Sequence, residues 1–247
     1  MLAQTETAEY SLQQIRFFGS EIERFDERVG ALGLPRALRE VFEERIHIPI
    51  VTVCTEETEN ILRTGAGIVV VTHPRRWPVF PVIAALPRDD LKIIANQGFC
   101  NAGYHINRAI LPIFTGPRKA SLITNITSRY GFDQKKTPAY IRHRRNKNAI
   151  NDAAYAIRSG GLVLMSPDGE LLRKNTWKNG VGYLVSEITD TDAQIVFSNP
   201  NITIQNRRPE IVCTFSTPIP ADSFQHQKPK TIKSELLKKY LSWLDTY

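Results

Sequence analysis

Apolar residues recur along this chain in two rhythms, and the alternation between them predicts its architecture. Leu38, Val41, Phe42 and Ile46 fall at helical spacing, so the region up to about Arg45 is predicted helical. Pro35 sits where a first helical turn tolerates it. Apolar runs of strand length then appear at 48–53, 68–72, 91–95, 110–114, 162–166, 195–197 and 211–215. Between them the spacing predicts helices over 55–62, 79–86 and 148–158. The first ends near Gly65 and Gly67, the second is closed by Pro87, and Ser159-Gly160-Gly161 stops the third. Pro112 makes 110–114 an edge or irregular strand, because proline cannot donate to a ladder. Residues from about 119 to 140 carry no clear period and predict an insertion or long loop near 119–147. A closing helix over 231–244 presents Ile232, Leu236, Leu237, Tyr240 and Leu244 on one face and Lys233, Lys238 and Lys239 on the other. It is expected to pack on the core rather than to lie on a membrane.

Strands alternating with helices imply βαβ units. The expected fold is therefore α/β, with a mostly parallel central sheet flanked by helices and an N-terminal helical segment. That segment, 1–47, is expected to pack on a main domain spanning 48–247. A length of 247 residues is enough to bury a full core in one such domain. Composition is that of a globular chain, 42% hydrophobic and 23% charged. No apolar run approaches the roughly 18–20 residues that span a bilayer, and the first residues lack a basic stretch followed by an apolar one. The expected location is cytoplasmic, peripheral at the inner face of a membrane. Cys54, Cys100 and Cys213 are odd in number and widely spaced, and read as buried thiols in a reducing compartment.

A net charge of +7 calls for an anionic partner: a phosphate-bearing substrate, a membrane surface or nucleic acid. The densest basic run is Arg142-His143-Arg144-Arg145-Asn146-Lys147. With only Tyr140 as a nearby aromatic, and leading directly into a helix, it reads as a solvated or phosphate-facing stretch. Nucleic acid is disfavoured.

Two strand ends carry the candidate chemistry. Val69-Val70-Val71-Thr72-His73 delivers an ionisable ring at the end of a buried strand, and Leu162 to Met165 leads into Ser166-Pro167-Asp168-Gly169, a carboxylate on a glycine turn. Open α/β sheets build their sites at such carboxyl ends. Without further context His73 is a strand-end histidine and Asp168-Gly169 a simple turn.

Longer blocks surround both segments. The first is Gly67 to Thr72 followed by His73-Pro74-Arg75-Arg76-Trp77-Pro78, then Ala84-Ala85-Leu86-Pro87-Arg88, the 91–95 strand and the 110–114 strand with Arg118 beyond it. The second is Gly160-Gly161, the 162–166 strand, Pro167-Asp168-Gly169-Glu170, then Trp177-Lys178-Asn179-Gly180-Val181 and finally Thr217-Pro218-Ile219. In order and spacing, over roughly 48–220, the chain resembles a diverged member of the glycerolipid acyltransferases, the 1-acylglycerol-3-phosphate and glycerol-3-phosphate acyltransferase group. The resemblance implies acyl transfer from an acyl-CoA or acyl-carrier-protein thioester to a hydroxyl of a phosphorylated glycerolipid or glycolipid acceptor. Lysolipids and glycerol-phosphate-type molecules are the acceptors it points to. It implies no metal and no cofactor beyond the thioester co-substrate.

By the same resemblance His73 is the general base, since a neutral imidazole can take a hydroxyl proton near pH 7. Asp168 is the candidate acid, with Glu170 or Asp89 as alternatives. Arg75, Arg76, Arg118 and Arg173 are candidate phosphate ligands, with Gly169, Glu170, Lys178 and Gly180 completing the substrate-binding set. Gly180 is expected to permit a tight helix start whose amides face an anion. Departures from the family pattern are explicit: Thr72 stands at its Asn, Pro78 at its Asp, Asp168 at its Glu, and Leu171 and Leu172 near its Thr-Arg pair. Trp77 and Pro167-Asp168 are similar to the related lipid A acyltransferases. Arg75 and Arg76 suit an acceptor of greater negative charge. The alternative expectation is an eroded member of the fold that binds lipid or an anionic partner without chemistry.

Overall fold

The computed structural model describes residues 22–72, 79–96, 103–113, 138–168, 177–205 and 208–246. At its centre lies β2 (Gly67–Val71), all five residues of which are buried. Val69 and Val71 pack into one hydrophobic core and Ile68 and Val70 into a second. A strand apolar at every position is what two covered faces demand. Gly67 has no substitute here, because a Cβ would lie 2.1 Å from the Gln194 carbonyl oxygen on the neighbouring strand.

The other strands are β1 (Ile50–Val53), β3 (Lys92–Asn96), β4 (Ile110–Ile113), β5 (Leu162–Met165), β6 (Gln194–Gln205), β7 (Arg208–Phe215) and β8 (Ile219–Pro220). They form one mostly parallel mixed sheet in the order β1-β7-β6-β2-β5-β3-β4, with β8 paired to β6. The β6–β7 and β6–β8 pairs are antiparallel, whereas β2 pairs parallel with β5 on one side and β6 on the other. β4 is an edge strand, which is where Pro112 is tolerated.

Helices cover both faces. On the first lie α1 (Ile22–Leu32), α2 (Leu34–Glu40) with its π-helical extension Val41–Arg45, α3 (Glu56–Thr64), α4 (Val79–Ala85) and α5 (Tyr104–Ala109). On the second lie α6 (Ala139–Arg158), α7 (Gly180–Ser186) and α8 (Pro229–Leu244). Pro35 occupies the first turn of α2, and Thr55 caps α3 by accepting the Thr58 N–H at 3.2 Å. Gly160, at φ 86°, takes the left-handed conformation that ends α6. α8 packs on α7 and on the sheet through Ile232, Leu236 and Tyr240. No described helix is long and apolar enough to cross a membrane.

Two sequence expectations are corrected. The 195–197 strand is instead the twelve-residue β6. Ser198-Asn199-Pro200-Asn201 carries turn chemistry; β2 pairs with its first residue, and beyond that the ladder with β7 holds it extended. The third long helix starts at Ala139 rather than 148, so the basic run lies within it and the supposed loop region from 139 to 147 is helical. Arg and Lys are good helix formers, and Pro138 precedes the first turn.

Candidate active site

β2 and β5 are adjacent and parallel, with Val70 beside Met165. The chain leaving β2 enters α4, whose Val82 and Ile83 lie in the first core, and the chain leaving β5 enters α7, whose Val181, Leu184 and Val185 lie in the second. Neighbouring strands whose connections part to opposite faces leave a crevice between their carboxyl ends, the topological switch point.

Three polar side chains lie near these strand ends. The hydroxyl of half-buried Thr72, at the end of β2, shares a 2.5 Å hydrogen bond with the Tyr240 hydroxyl of α8. Asp168, just past β5, is only 6% exposed. Burial pushes the Tyr240 phenol above its usual value; the Thr72 hydrogen bond opposes this and the nearby Asp168 charge adds to it. Tyr240 therefore links the two strand ends: it touches Thr72 and feels Asp168.

The wall around this group is aromatic. Trp177 and Phe197 each place a ring centroid 5.4 Å from that of Tyr240, the latter edge-on, and Trp243 lies 5.9 Å away. Such a wall keeps local polarity low and strengthens whatever charge interactions form inside it. The Lys178 N–H donates to the Pro167 carbonyl at 2.7 Å, so the chain returns to the end of β5 before entering α7. On the first face of the sheet Ser198, beside Val71, is fully buried, and its hydroxyl has no hydrogen-bond partner among the described residues.

Of the residues singled out in the sequence, His73, Arg75, Arg76, Arg118, Gly169, Glu170 and Arg173 lie outside the described residues. His73 is the next residue in the chain after Thr72. Asp168 lies buried just past the end of β5, and Lys178 is exposed near it, its N–H hydrogen-bonded to the Pro167 carbonyl. Asp89 is exposed in the turn that enters β3, at the opposite end of the sheet, and cannot share a site with Asp168. Gly180 opens α7, but a Cβ there would meet nothing closer than 4.0 Å, so no tight approach requires glycine. The demanding position is Gly182, where a Cβ would fall 1.9 Å from the Pro229 carbonyl oxygen of α8.

Sequence reasoning missed Tyr240 and Trp177. Tyr240 sits in an aliphatic stripe and reads as core, which it also is. Its one signal is the hydroxyl, because a buried phenol must find a hydrogen-bond partner. Among the described residues no group of three His, Cys, Asp or Glu side chains could hold a metal. Comparison with protein-family models, with curated proteins and with solved structures returns no match.

Proposed function

We propose that the crevice between β2 and β5 is an acyltransferase site. It moves a fatty acyl group from an acyl-CoA or acyl-carrier-protein thioester to a hydroxyl of a phosphorylated glycerolipid or glycolipid. The observation that carries the reading is Asp168. It is a buried carboxylate at the end of β5, electrostatically coupled to the phenol bonded to Thr72, and the next residue after Thr72 is His73. His73 takes the proton of the acceptor hydroxyl as its oxygen attacks the thioester carbonyl. Asp168 orients the imidazole and stabilises the imidazolium. Collapse of the tetrahedral intermediate forms the ester, breaks the C–S bond and returns the proton to the leaving thiolate. Lys178 and the arginines attract the acceptor phosphate.

A second reading, binding of lipid or an anionic partner without chemistry, is favoured by Pro78 at the position where the family carries its acid. One experiment decides between them. Purified wild type, His73→Ala and Asp168→Asn are incubated with mixed acyl-thioesters and a panel of lysophospholipid, glycerol-phosphate and glycolipid acceptors, and products are identified by mass spectrometry. The enzyme reading expects transfer by wild type, none by His73→Ala, and a loss on the order of 10⁴ in Asp168→Asn, the cost of removing the orienting acid in the serine-protease analogue. Lipid co-purifying with a wild-type protein that yields no product would favour the binding reading.

A further inference from the structure

Past the carboxyl ends of β2 and β5 the molecule does not end evenly. β6 makes its last pairing with β2 at Ser198 opposite Val71, yet continues through residues 199–205, hydrogen-bonded to β7. At about 3.4 Å per residue this hairpin projects roughly 24 Å beyond the end of β2. It carries two isoleucines that no core claims: Ile202 is 47% exposed and Ile204 71%. A β-branched side chain that far into solvent buries little on folding and is free to bury itself elsewhere.

On the other flank stands the basic half of α6. All of its buried residues, Ala149, Ala153, Ala154 and Ile157, lie in its second half. That half leads through Gly160 to the start of β5, at the amino end of the sheet. The first half, residues 139–148, carries no buried residue. Tyr140, Arg144 and Lys147 are exposed on it, and no carboxylate occurs between residues 138 and 151. Lys178 is exposed beside the end of β5, where its N–H meets the Pro167 carbonyl.

We propose that this edge docks on an anionic phospholipid bilayer, with Ile202 and Ile204 entering the headgroup–acyl boundary while Arg144 and Lys147 meet the lipid phosphates. The composition selects that occupant. Exposed aliphatics flanked by cations and a tyrosine match the layering of a bilayer interface, apolar below and anionic above, with amphipathic rings at the headgroup level. A nucleic acid would leave both isoleucines in water. The proposal rests on the reading of the crevice as a lipid-acting site only for its purpose, since the crevice opens at the same edge. Docking itself stands on the exposed residues.

The test is flotation with vesicles of phosphatidylcholine alone and of phosphatidylcholine mixed with phosphatidylglycerol. Wild type, Arg144→Glu/Lys147→Glu and Ile202→Ser/Ile204→Ser are compared, with circular dichroism to confirm that each variant folds. Wild type should float with the mixed vesicles and not with neutral ones. Each basic residue near an anionic surface is worth about fivefold in partitioning, so loss of two cations lowers binding about 25-fold before repulsion is counted. The isoleucine pair should cost at least about tenfold. Failure of wild type to bind the mixed vesicles overturns the proposal, as does binding unchanged in both variants or capture of duplex DNA in place of vesicles. Turnover of glycerol 3-phosphate, a soluble acceptor, with acyl-CoA is measured in parallel. Vesicle binding without turnover of this acceptor or of any other in the panel would overturn the acyltransferase reading alone, and turnover without vesicle binding would overturn docking alone.

Discussion

Tyr240→Phe removes one oxygen from the middle of the candidate site and leaves the ring in its aromatic setting. The ring is 3% exposed and packed against Trp177, Phe197 and Trp243. Truncation to Ala would cost about 3–5 kcal/mol and report only on packing. The lost hydroxyl is a smaller and cleaner change. Its 2.5 Å bond to Thr72 joins two neutral groups, which contributes a net ~0.5–1.5 kcal/mol. Thr72 is half-buried, so water can partly replace the lost partner, and we expect a loss of about 1 kcal/mol, or a Tm lower by about 2–4 °C. Thr72→Val tests the same bond from the other end. Removing both partners leaves no stranded hydroxyl, so the double variant should cost less than the sum of the singles, with a coupling of about 1 kcal/mol by urea denaturation.

The pH dependence supplies an independent check. The Tyr240 phenol is held neutral in the folded protein above its ordinary value of 10.0. Its contribution is complete below that pH and is lost as pH rises towards the higher native value, because the unfolded chain releases the proton first. Tyr240→Phe lacks this component and should lose stability less steeply above pH 10. Cys213 also titrates upward, from 9.0 to about 12, but it is common to both proteins and cancels in the difference. A coupling energy indistinguishable from zero, or alkaline slopes that coincide, would refute the view that Tyr240 ties α8 to the end of β2.

Two further expectations concern the scaffold. Gly182→Ala gains about 1 kcal/mol of helix propensity. It must also fit a Cβ 1.9 Å from the Pro229 carbonyl oxygen, a backbone atom that cannot step aside, so a net loss of about 2 kcal/mol is expected from overpacking of up to ~3 kcal/mol. A urea midpoint equal to wild type would show that the α7–α8 distance is not set there. Cys213 is fully buried, and its thiol is pushed up to about 12 chiefly by burial, with Arg39 opposing. Iodoacetamide near pH 8 should therefore leave it unmodified in the folded protein and alkylate it in urea, as read by peptide mass. Native-state alkylation at the rate of a free thiol would contradict its placement in the core.

Local pattern was a sound guide wherever one stretch of chain settles its own conformation. The fully apolar run at 68–71 announces a strand with two covered faces, Pro112 announces an edge, and Ser159-Gly160-Gly161 ends α6 where it ends in the structure. The α/β class followed from strands alternating with helices. Prediction failed where a partner distant in sequence decides. Residues 199–201 carry turn chemistry and are a strand only because β7 pairs with them, and residues 139–147 lack buried positions and so showed no helical period.

The site divides in the same way. Asp168 was legible because a carboxylate on a glycine turn at a strand end is a local feature. The adjacency of the β2 and β5 ends belongs to strand order, which no short window encodes, because β3, β4 and, among the described residues, three helices intervene in the chain. Tyr240 reaches Thr72 across 168 residues. A helical stripe shows that the ring is buried, whereas what its hydroxyl meets depends on where α8 is laid on the sheet. The sequence by itself determined the elements and the candidate chemistry at their ends, because both depend on neighbours a few residues apart. Tertiary structure alone decided which ends meet, because that is set by burial of two whole faces of one sheet.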